Sequence, residues 1–332
     1  MNSHAQLQTE VQQNASLQQK IYQKRRFRWM DHGFKWLTFS FGCIILIMFV
    51  WIILELTNES KQSISKFGLG FIFSQDWNPV KGEFGALPFI YGTIVSSLIA
   101  IIIAAPISIG IALFLNEMAP KWLKQPVAFM IELLAAIPSI LYGLWGLFVM
   151  VPFIRDWLQK PISKYLGGFP LFSGAPIGLG MLTAGILLAI MIIPIITALA
   201  RDVIRVVPTL QKEGYLALGA TKWEVIWKII LPFARPGILG ACILGLGRAL
   251  GETMAVTMVI GNRAEIKASL FAPGHSMAAV IANEFTEATD DIYLSSLIEI
   301  GLLLFLVTFV LNAGARFLIW TVAKGSKGGV KG

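Results

Sequence analysis

The chain has 332 residues, of which 56% are hydrophobic and 14% charged, and its mean hydropathy is +0.71. A water-soluble domain covers its surface with about 25% charged residues, so this composition excludes an ordinary soluble protein. The formal net charge is +8. Because the basic residues lie in short segments between apolar runs and not on one soluble face, nucleic-acid binding is excluded as well. The sequence predicts an integral membrane protein.

Cysteine and histidine usage argues against a metal or redox site. Cys43 and Cys242 each stand alone inside an apolar run. The histidines, His4, His32 and His275, are scattered along the chain. Neither residue type has the spacing of a metal site or a disulfide pair, so we expect no metal and no cofactor bound by this chain.

Six apolar runs predict an all-α membrane protein with six transmembrane helices, because about 20 apolar residues cross a bilayer. The runs lack the two-residue alternation of barrel strands. The first run is too long for a signal-peptide core, so we expect it to remain as an anchor. The predicted spans lie at about 34–56, 84–116, 133–154, 165–200, 237–261 and 292–320.

These spans divide the chain into three parts. Residues 1–33 form a Gln-rich and basic N-terminal segment, residues 34–320 the membrane domain, and residues 321–332 a basic, unstructured tail. Of the 27 Lys and Arg residues, 18 fall on the side of both termini and of the 201–236 loop, and 8 on the other side. The positive-inside rule therefore predicts cytoplasmic termini in a bacterial inner membrane.

Three prolines fall deep inside predicted spans: Pro106, Pro138 and Pro194. Each removes a backbone hydrogen bond and tends to kink its helix. Proline is common in membrane helices, so ordinary packing irregularity explains them equally well. Three in one bundle suit a pathway that opens and closes.

The loop at 201–236 carries structure of its own. Pro208 suits the start of a helix, and Gly219 suits the left-handed residue that ends one. Thr221 and Glu224 make a capping-box pattern for a second helix. Pro232 and Pro236 are expected to break the chain before span five. The pattern predicts a helix–Gly–helix element that offers apolar residues to a partner, or a partnerless hairpin lying on the membrane.

The spacing in this loop resembles the EAA loop of ABC importer permeases. That motif is Glu-Ala-Ala, three residues, Gly, nine residues and Ile-x-Leu-Pro, and the offsets match here. Gly214 and Tyr215 replace the two alanines. The resemblance implies a coupling helix that docks into an ATPase subunit. The loop residues singled out on this basis are Glu213, Gly219, Ala220, Thr221, Leu231 and Pro232.

Span five contains two charged residues, Arg248 and Glu252, which a continuous helix would place on one face. A charge at mid-bilayer is costly, so such residues normally face a bundle interior or a water-filled path. A structural ion pair is the alternative. We favour a substrate pathway for an anion, in which Glu252 holds Arg248 when no anion is bound. Glu299, in span six, is a further candidate for this pathway.

Three segments sharpen the resemblance: LGLGRALGETMAV, AAIPSILYGLWGLFVMVP and PGHSMAAVIANEF. They are similar to the C-type permease subunits of phosphate-specific transport systems, over the chain from span one to span six. This resemblance implies the six-helix, MetI-like core of type I ABC importers, which works by alternating access. It also implies functional roles for the Arg and Glu of the RALGE stretch, Arg248 and Glu252.

The same resemblance implies partners. They are a second permease in a heterodimer, two copies of an ABC ATPase that uses ATP and Mg²⁺, a periplasmic phosphate-binding protein, membrane lipid, and a phosphate-sensing regulator or kinase. The chain has no G-x-x-x-x-G-K-[ST] phosphate loop, so we expect it to be a non-catalytic transport subunit.

Other functions stay open from the sequence alone. The cargo could be sulfate, molybdate or phosphonate, and the chain also resembles the sister A-type phosphate permease. A membrane transferase would need catalytic His, Asp or Glu clusters near an interface, which the sequence does not show.

Overall fold

The computed structural model describes residues 32–327, without the side chains of residues 318 and 320–327. Expectations for residues 1–31 and 328–332 lie outside that range. The prediction of an unstructured tail from residue 321 is wrong for residues 321–327, which are helical. The described chain forms two compact units, one ending at Asn58 and the other beginning at Glu59. Within it, extended pairing is limited to one isolated bridge between Asn78 and Glu83. The all-α prediction is therefore confirmed.

Twelve α-helical segments are defined in the described chain, with α1 accounting for the described part of the first unit. In order they are α1 (His32–Glu59), α2 (Lys61–Phe67), α3 (Gly70–Phe73), α4 (Leu87–Met118), α5 (Lys121–Ala136), α6 (Ser139–Leu166), α7 (Met181–Arg205), α8 (Thr209–Ala217), α9 (Lys222–Leu250), α10 (Met254–Val259), α11 (Met277–Glu284) and α12 (Asp291–Lys327). Six of them, α1, α4, α6, α7, α9 and α12, are long and apolar enough to cross a membrane. The predicted six-span architecture is confirmed.

The third span differs from its prediction. We expected a helix over residues 133–154 with a kink at Pro138, but the chain is extended at Ile137 and Pro138, so α5 ends and α6 begins there. A residue before proline avoids the helical region, which explains the break at Ile137. The membrane-length helix is α6, whereas α5 is a shorter, separate helix. The kink predicted at Pro138 is therefore a full interruption.

Pro106 and Pro194 do lie inside helices, in α4 and α7. These two helices form the central pair of the bundle, and the Ser108 hydroxyl donates to the Ile193 carbonyl at 3.2 Å. The bond links the two proline-containing stretches, because each partner lies within two residues of a proline. Inter-helix hydrogen bonds of this kind help satisfy a backbone that proline disturbs within the membrane.

The fifth span also differs from its prediction. Pro232 and Pro236 do not interrupt the helix, because one helix runs from Lys222 to Leu250 through both prolines. A π-helical turn at Ile226–Ile230 ends two residues before Pro232. Such a turn shifts the hydrogen-bond register, which lets the helix accept a residue that has no N–H. The predicted end at residue 261 is wrong too, since the helix ends at Leu250 and Gly251 caps it.

Helix α7 is the most buried span of the second unit. In its most apolar stretch 61% of residues are buried, against 28–33% in the other spans of that unit. Small residues let the neighbouring helices approach it. A Cβ on Gly185 would lie 2.5 Å from the Ile99 side chain of α4, and one on Gly245 of α9 would lie 2.7 Å from Ile196 of α7. The close approach of α4, α7 and α9 builds the core that positions the functional residues.

Candidate translocation and coupling sites

Arg248 lies in the last turn of α9 and is exposed on the described chain. None of the acidic residues described in the structure lies within ion-pair distance of its guanidinium. The preceding residue, Gly247, faces α12, where a Cβ would lie 3.9 Å from the Asn312 amide nitrogen. A fixed cation therefore stands at the end of a membrane helix without a counter-charge from the described chain.

Glu252 does not share a helical face with Arg248, contrary to the prediction. Helix α9 ends at Leu250, so Glu252 lies in the short connection to α10. Its carboxylate accepts the Ala255 N–H at 3.4 Å, at the first turn of α10. A carboxylate there satisfies a backbone donor that the start of a helix leaves unpaired. Glu252 therefore follows Arg248 by four residues along the chain, but its carboxylate binds the backbone of α10.

Tyr142 is a residue of this region that sequence reasoning missed. It lies on α6, is 9% exposed, and donates its hydroxyl to the Leu134 carbonyl at 2.9 Å. Its hydroxyl lies within electrostatic range of the Arg248 guanidinium. Gly143 beside it lets α10 approach, since a Cβ there would lie 3.0 Å from Cα of Ala255. Nothing in the spacing along the chain connects Tyr142 to Arg248.

Glu299 lies elsewhere, in a buried polar cluster between α2 and α12. It is 6% exposed and interacts with the Ser63 side chain, while its Oε2 has no hydrogen-bond partner. The Ser63 hydroxyl lies 3.1 Å from that of Ser296. Glu299 precedes Asn312 by thirteen residues, which is about 20 Å along a helix. Because Asn312 lies beside Gly247, the structure does not bring Glu299 to Arg248.

The loop between α7 and α9 has the predicted form. Gly219 has φ +88°, the left-handed conformation expected at the end of α8. Thr221 and Glu224 form the predicted capping box, with the Thr221 hydroxyl accepting the Glu224 N–H at 3.3 Å. The Ala220 N–H donates to the Tyr215 carbonyl at 3.2 Å. Of the other loop residues singled out, Leu231 and Pro232 lie within α9, and Glu213 is exposed on α8.

Large apolar side chains on this loop are exposed. Leu210 and Leu218 are 81% and 85% exposed, and Trp223 and Trp227 are 62% and 55% exposed. The two tryptophan rings pack edge to face with centroids 5.5 Å apart. Exposed large apolar side chains on one loop indicate an interaction site with protein or membrane.

A cavity of about 620 Å³ lies at the opposite end of α7. It is bounded by residues 170–177 and 263–273, and Arg263 and Lys267 contribute to its wall. The Lys267 ammonium, 2.6 Å from a Glu265 oxygen, lowers the pKa of that carboxyl. At the end of the bundle remote from the 201–236 loop, the cavity wall therefore contains the Arg263 cation and a Lys267 that is paired with Glu265.

The described chain has six membrane-length helices and an exposed helix–Gly–helix loop before the fifth, which is the arrangement predicted for a transmembrane subunit of a transporter. The fold is that of the inward-facing MetNI methionine ABC transporter in its CY5 native crystal form. That match has a TM-score of 0.50 and 17% identity, and covers 70% of this chain and 94% of that one. The predicted MetI-like fold is confirmed.

Residues 105–319 match the family described as binding-protein-dependent transport system inner membrane component, and the chain belongs to that family. Two relatives carry the name "Phosphate transport system permease protein PstC". That from Pasteurella multocida is 49% identical over 88% of this chain and 92% of its own length. That from Mesorhizobium japonicum is 47% identical over 90% and 92%. The predicted ABC importer permease class is confirmed, and the chain is a multi-pass inner-membrane protein.

Proposed function

We propose that the chain is one transmembrane permease subunit of an ATP-driven importer of inorganic phosphate. The observation that carries this proposal is the 49% identity, over 88% of the chain, to a relative named as a phosphate transport permease. Much of the cargo choice in such importers rests with a binding protein. The sequence identity favours phosphate over sulfate, molybdate or phosphonate as the cargo. Because the binding protein contributes to this choice, a transport measurement is needed to decide between them.

Arg248 suits the role of an anion contact. Its guanidinium is always protonated and presents a planar donor fork that matches phosphate oxygens in pairs. It is exposed at the end of a membrane helix and has no acidic partner within the described chain. A second permease subunit would face this exposed surface and enclose the path. The anion then meets Arg248 in a confined space, where the interaction is stronger than in water.

The 201–236 loop suits docking to an ATPase. Its exposed leucine and tryptophan side chains offer apolar surface, and its Gly219 turn and Thr221 cap hold the two helices in a defined arrangement. We expect two copies of the ATPase in the complex, one on each permease, with ATP and Mg²⁺ bound there and not by this chain. Movement of the loop would be transmitted to the core through α9, which begins at Lys222 within it.

The orientation follows from the positive-inside rule. The 18-to-8 distribution of Lys and Arg supports a cytoplasmic position for both termini and the 201–236 loop. The cavity with Arg263 and Lys267 then opens to the periplasm, where a binding protein would deliver the anion. Cysteine labelling of Trp223→Cys and Ala268→Cys in intact and permeabilised cells checks this orientation.

The decisive experiment is transport by the reconstituted complex. The chain would be purified with its ATPase, its second permease and a phosphate-binding protein, and placed in proteoliposomes with ATP on the ATPase side. We expect labelled phosphate uptake that requires ATP and persists in excess sulfate or molybdate. Uptake abolished by sulfate, or ATP hydrolysis without phosphate movement in a fully assembled complex, would contradict the proposed cargo.

A further inference from the structure

A second cavity lies at the end of the bundle that bears the 201–236 loop, far from the cavity with Arg263. Its volume is about 600 Å³, and it lies between the end of α4, the first turns of α5 and the last turns of α7. The wall residues that matter here are Asn116, Lys124, Phe129, Glu132, Arg201 and Arg205. None of these residues belongs to the translocation or coupling sites described above.

The cavity carries an excess of positive charge. Its wall contains three cations and one carboxylate. The carboxylate is already engaged, because Arg201 donates to a Glu132 oxygen at 3.3 Å. Arg205 is exposed, and within the described chain no acid lies within ion-pair distance of it. Two cations, Lys124 and Arg205, are therefore left without a counter-charge at the wall of one cavity.

Hydrogen bonds fix two sides of this cavity relative to each other. The Lys124 ammonium donates to the Asn116 carbonyl at 2.8 Å, and the Asn116 side-chain amide donates to the Arg201 carbonyl at 2.9 Å. Lys124 of α5 is therefore held across the end of α4 from the last turns of α7. A site whose donors are already positioned loses less entropy when a ligand binds.

A simpler explanation of these charges is incomplete. Cations at the C-terminal turn of a helix interact favourably with its carbonyl groups, which would account for Arg201 and Arg205 on α7. It does not account for Lys124 at the first turn of α5, where a cation is unfavourable. It also does not account for a cavity between them. The wall further includes Phe129, which is 61% exposed, so the cavity combines cationic donors with apolar surface.

We propose that this cavity binds a phosphate group, held by Lys124 and Arg205. An ammonium and a guanidinium form charge-assisted hydrogen bonds to phosphate oxygens, and the guanidinium can do so in pairs. The phosphate is either the headgroup of an anionic phospholipid, whose acyl chain would lie along Phe129, or free inorganic phosphate. The proposal does not rest on the cargo assigned above, because its ligand is defined by the chemistry of this cavity.

Native mass spectrometry and titration calorimetry of the full complex test the proposal with two probes. One is phosphatidylglycerol, compared with phosphatidylethanolamine as the zwitterionic reference. The other is inorganic phosphate added to nanodiscs of neutral lipid. Preferential retention of phosphatidylglycerol identifies the headgroup as the source, and phosphate binding without anionic lipid identifies the free anion. Either result supports the proposal if it depends on the cavity residues.

That dependence is measured with single-charge variants. Arg205→Gln and Lys124→Gln should each weaken binding about tenfold, because each removes a charge-assisted hydrogen bond. Arg205→Lys should retain most of it. Lys121→Gln is the matched control, since Lys121 is exposed on the same helix as Lys124 and lies outside the cavity wall.

Arg316→Gln, which removes an exposed cation of α12 outside the cavity wall, should leave binding of both probes unchanged. Binding of neither probe by the wild-type complex would overturn the proposal. So would equal weakening by Lys121→Gln and Arg205→Gln, which would indicate general surface charge. Loss of phosphate uptake with probe binding retained would bear on the proposed cargo and not on this cavity.

Discussion

The Lys212 ammonium lies 2.6 Å from a carboxylate oxygen of Glu117, and the two side chains are only 17% and 22% exposed. Lys212 belongs to α8, in the loop before α9, and Glu117 to the π-helical turn that ends α4. The pair is the one described salt bridge that joins α8 to a membrane-spanning helix. It ties the proposed ATPase-docking loop to the central helix pair.

Removing one partner of this pair should uncouple ATP hydrolysis from transport. Lys212→Gln leaves the Glu117 carboxylate without its counter-charge in a largely buried position, a cost of about 1–3 kcal/mol. We expect ATPase activity of the complex to persist while transported phosphate per hydrolysed ATP falls several-fold. The measurement is uptake and ATP hydrolysis in the same proteoliposomes.

A matched control exists in the same loop. Lys228→Gln breaks the pair between Lys228 and Glu224, whose side chains are 57% and 42% exposed, and solvent-exposed ion pairs contribute little. The charge-swapped variant Lys212→Glu with Glu117→Lys should recover part of the coupling. Equal loss in Lys212→Gln and Lys228→Gln, with no recovery in the swap, would count against a specific tie.

The sequence predicted those features of this protein that depend on near neighbours along the chain. Apolar runs determine where helices cross a membrane, and Gly219 and Thr221 form a turn and a cap from residues within three positions. The number of spans, the turn and the cap are confirmed, whereas the bounds of the third and fifth spans were wrong. The π-helical turn that precedes Pro232 in α9 has no comparable local signature. The packing of the whole helix decides its register.

The sequence did not predict correctly which polar residues lie near Arg248 in the folded chain. The sequence makes Glu299 a candidate for the same pathway, but it lies in a serine cluster with Ser63, more than two hundred positions away along the chain. Glu252 was grouped with Arg248 by helical spacing, but the helix ends between them. Gly251 is a residue type that often ends helices, so this break had a signal that the apolar character of the run obscured.

Arg248 and Glu252 should respond differently to loss of charge. Arg248→Gln removes the proposed anion contact and should lower phosphate uptake at least tenfold, with Arg248→Lys intermediate because the lysine lacks the planar fork. Glu252→Gln keeps an oxygen that can accept the Ala255 N–H, so uptake should fall less than about threefold. Initial rates of labelled phosphate uptake in membranes with matched complex levels provide the comparison.

Arg316→Gln is the control for charge, since Arg316 is an exposed cation on α12. It should leave uptake unchanged. An Arg248→Gln complex that transports at the wild-type rate would remove Arg248 from the pathway. A Glu252→Gln complex as impaired as Arg248→Gln would restore the pairing that the sequence suggested.

His275 should make stability depend on pH. It is 3% exposed, outside the membrane-length helices, and burial lowers its pKa from 6.5 to about 4. Its Nδ1 accepts the Ser276 N–H at 3.1 Å, which only a ring unprotonated at that atom can do. The folded state therefore favours neutral His275. The contribution of neutral His275 to the free energy of unfolding is fully present above pH 6.5. This contribution is lost as the pH falls toward 4, and the total loss is about 3 kcal/mol.

Thermal unfolding of the purified complex between pH 7.5 and 4.5 measures this dependence. Other groups also titrate in this range, so the informative quantity is the difference between the wild type and His275→Asn. Asparagine keeps an acceptor near the Nδ1 position but does not titrate. We expect the variant to lose less stability than the wild type as the pH falls. Parallel curves would show that His275 is not responsible.

Gly92 and Gly110 of α4 should respond in opposite ways to alanine. A Cβ on Gly92 would lie 1.8 Å from the carbonyl oxygen of His275, a backbone atom that cannot move without displacing the segment before α11. Gly110 has no atom within 4 Å of its Cβ position. We expect Gly92→Ala to lower stability by about 2 kcal/mol or more, and Gly110→Ala to raise it by up to about 1 kcal/mol, because alanine is the better helix former. Melting temperatures of the two purified complexes test both expectations. A Gly92→Ala complex as stable as the wild type would show that α4 and the His275 segment are further apart than in this structure.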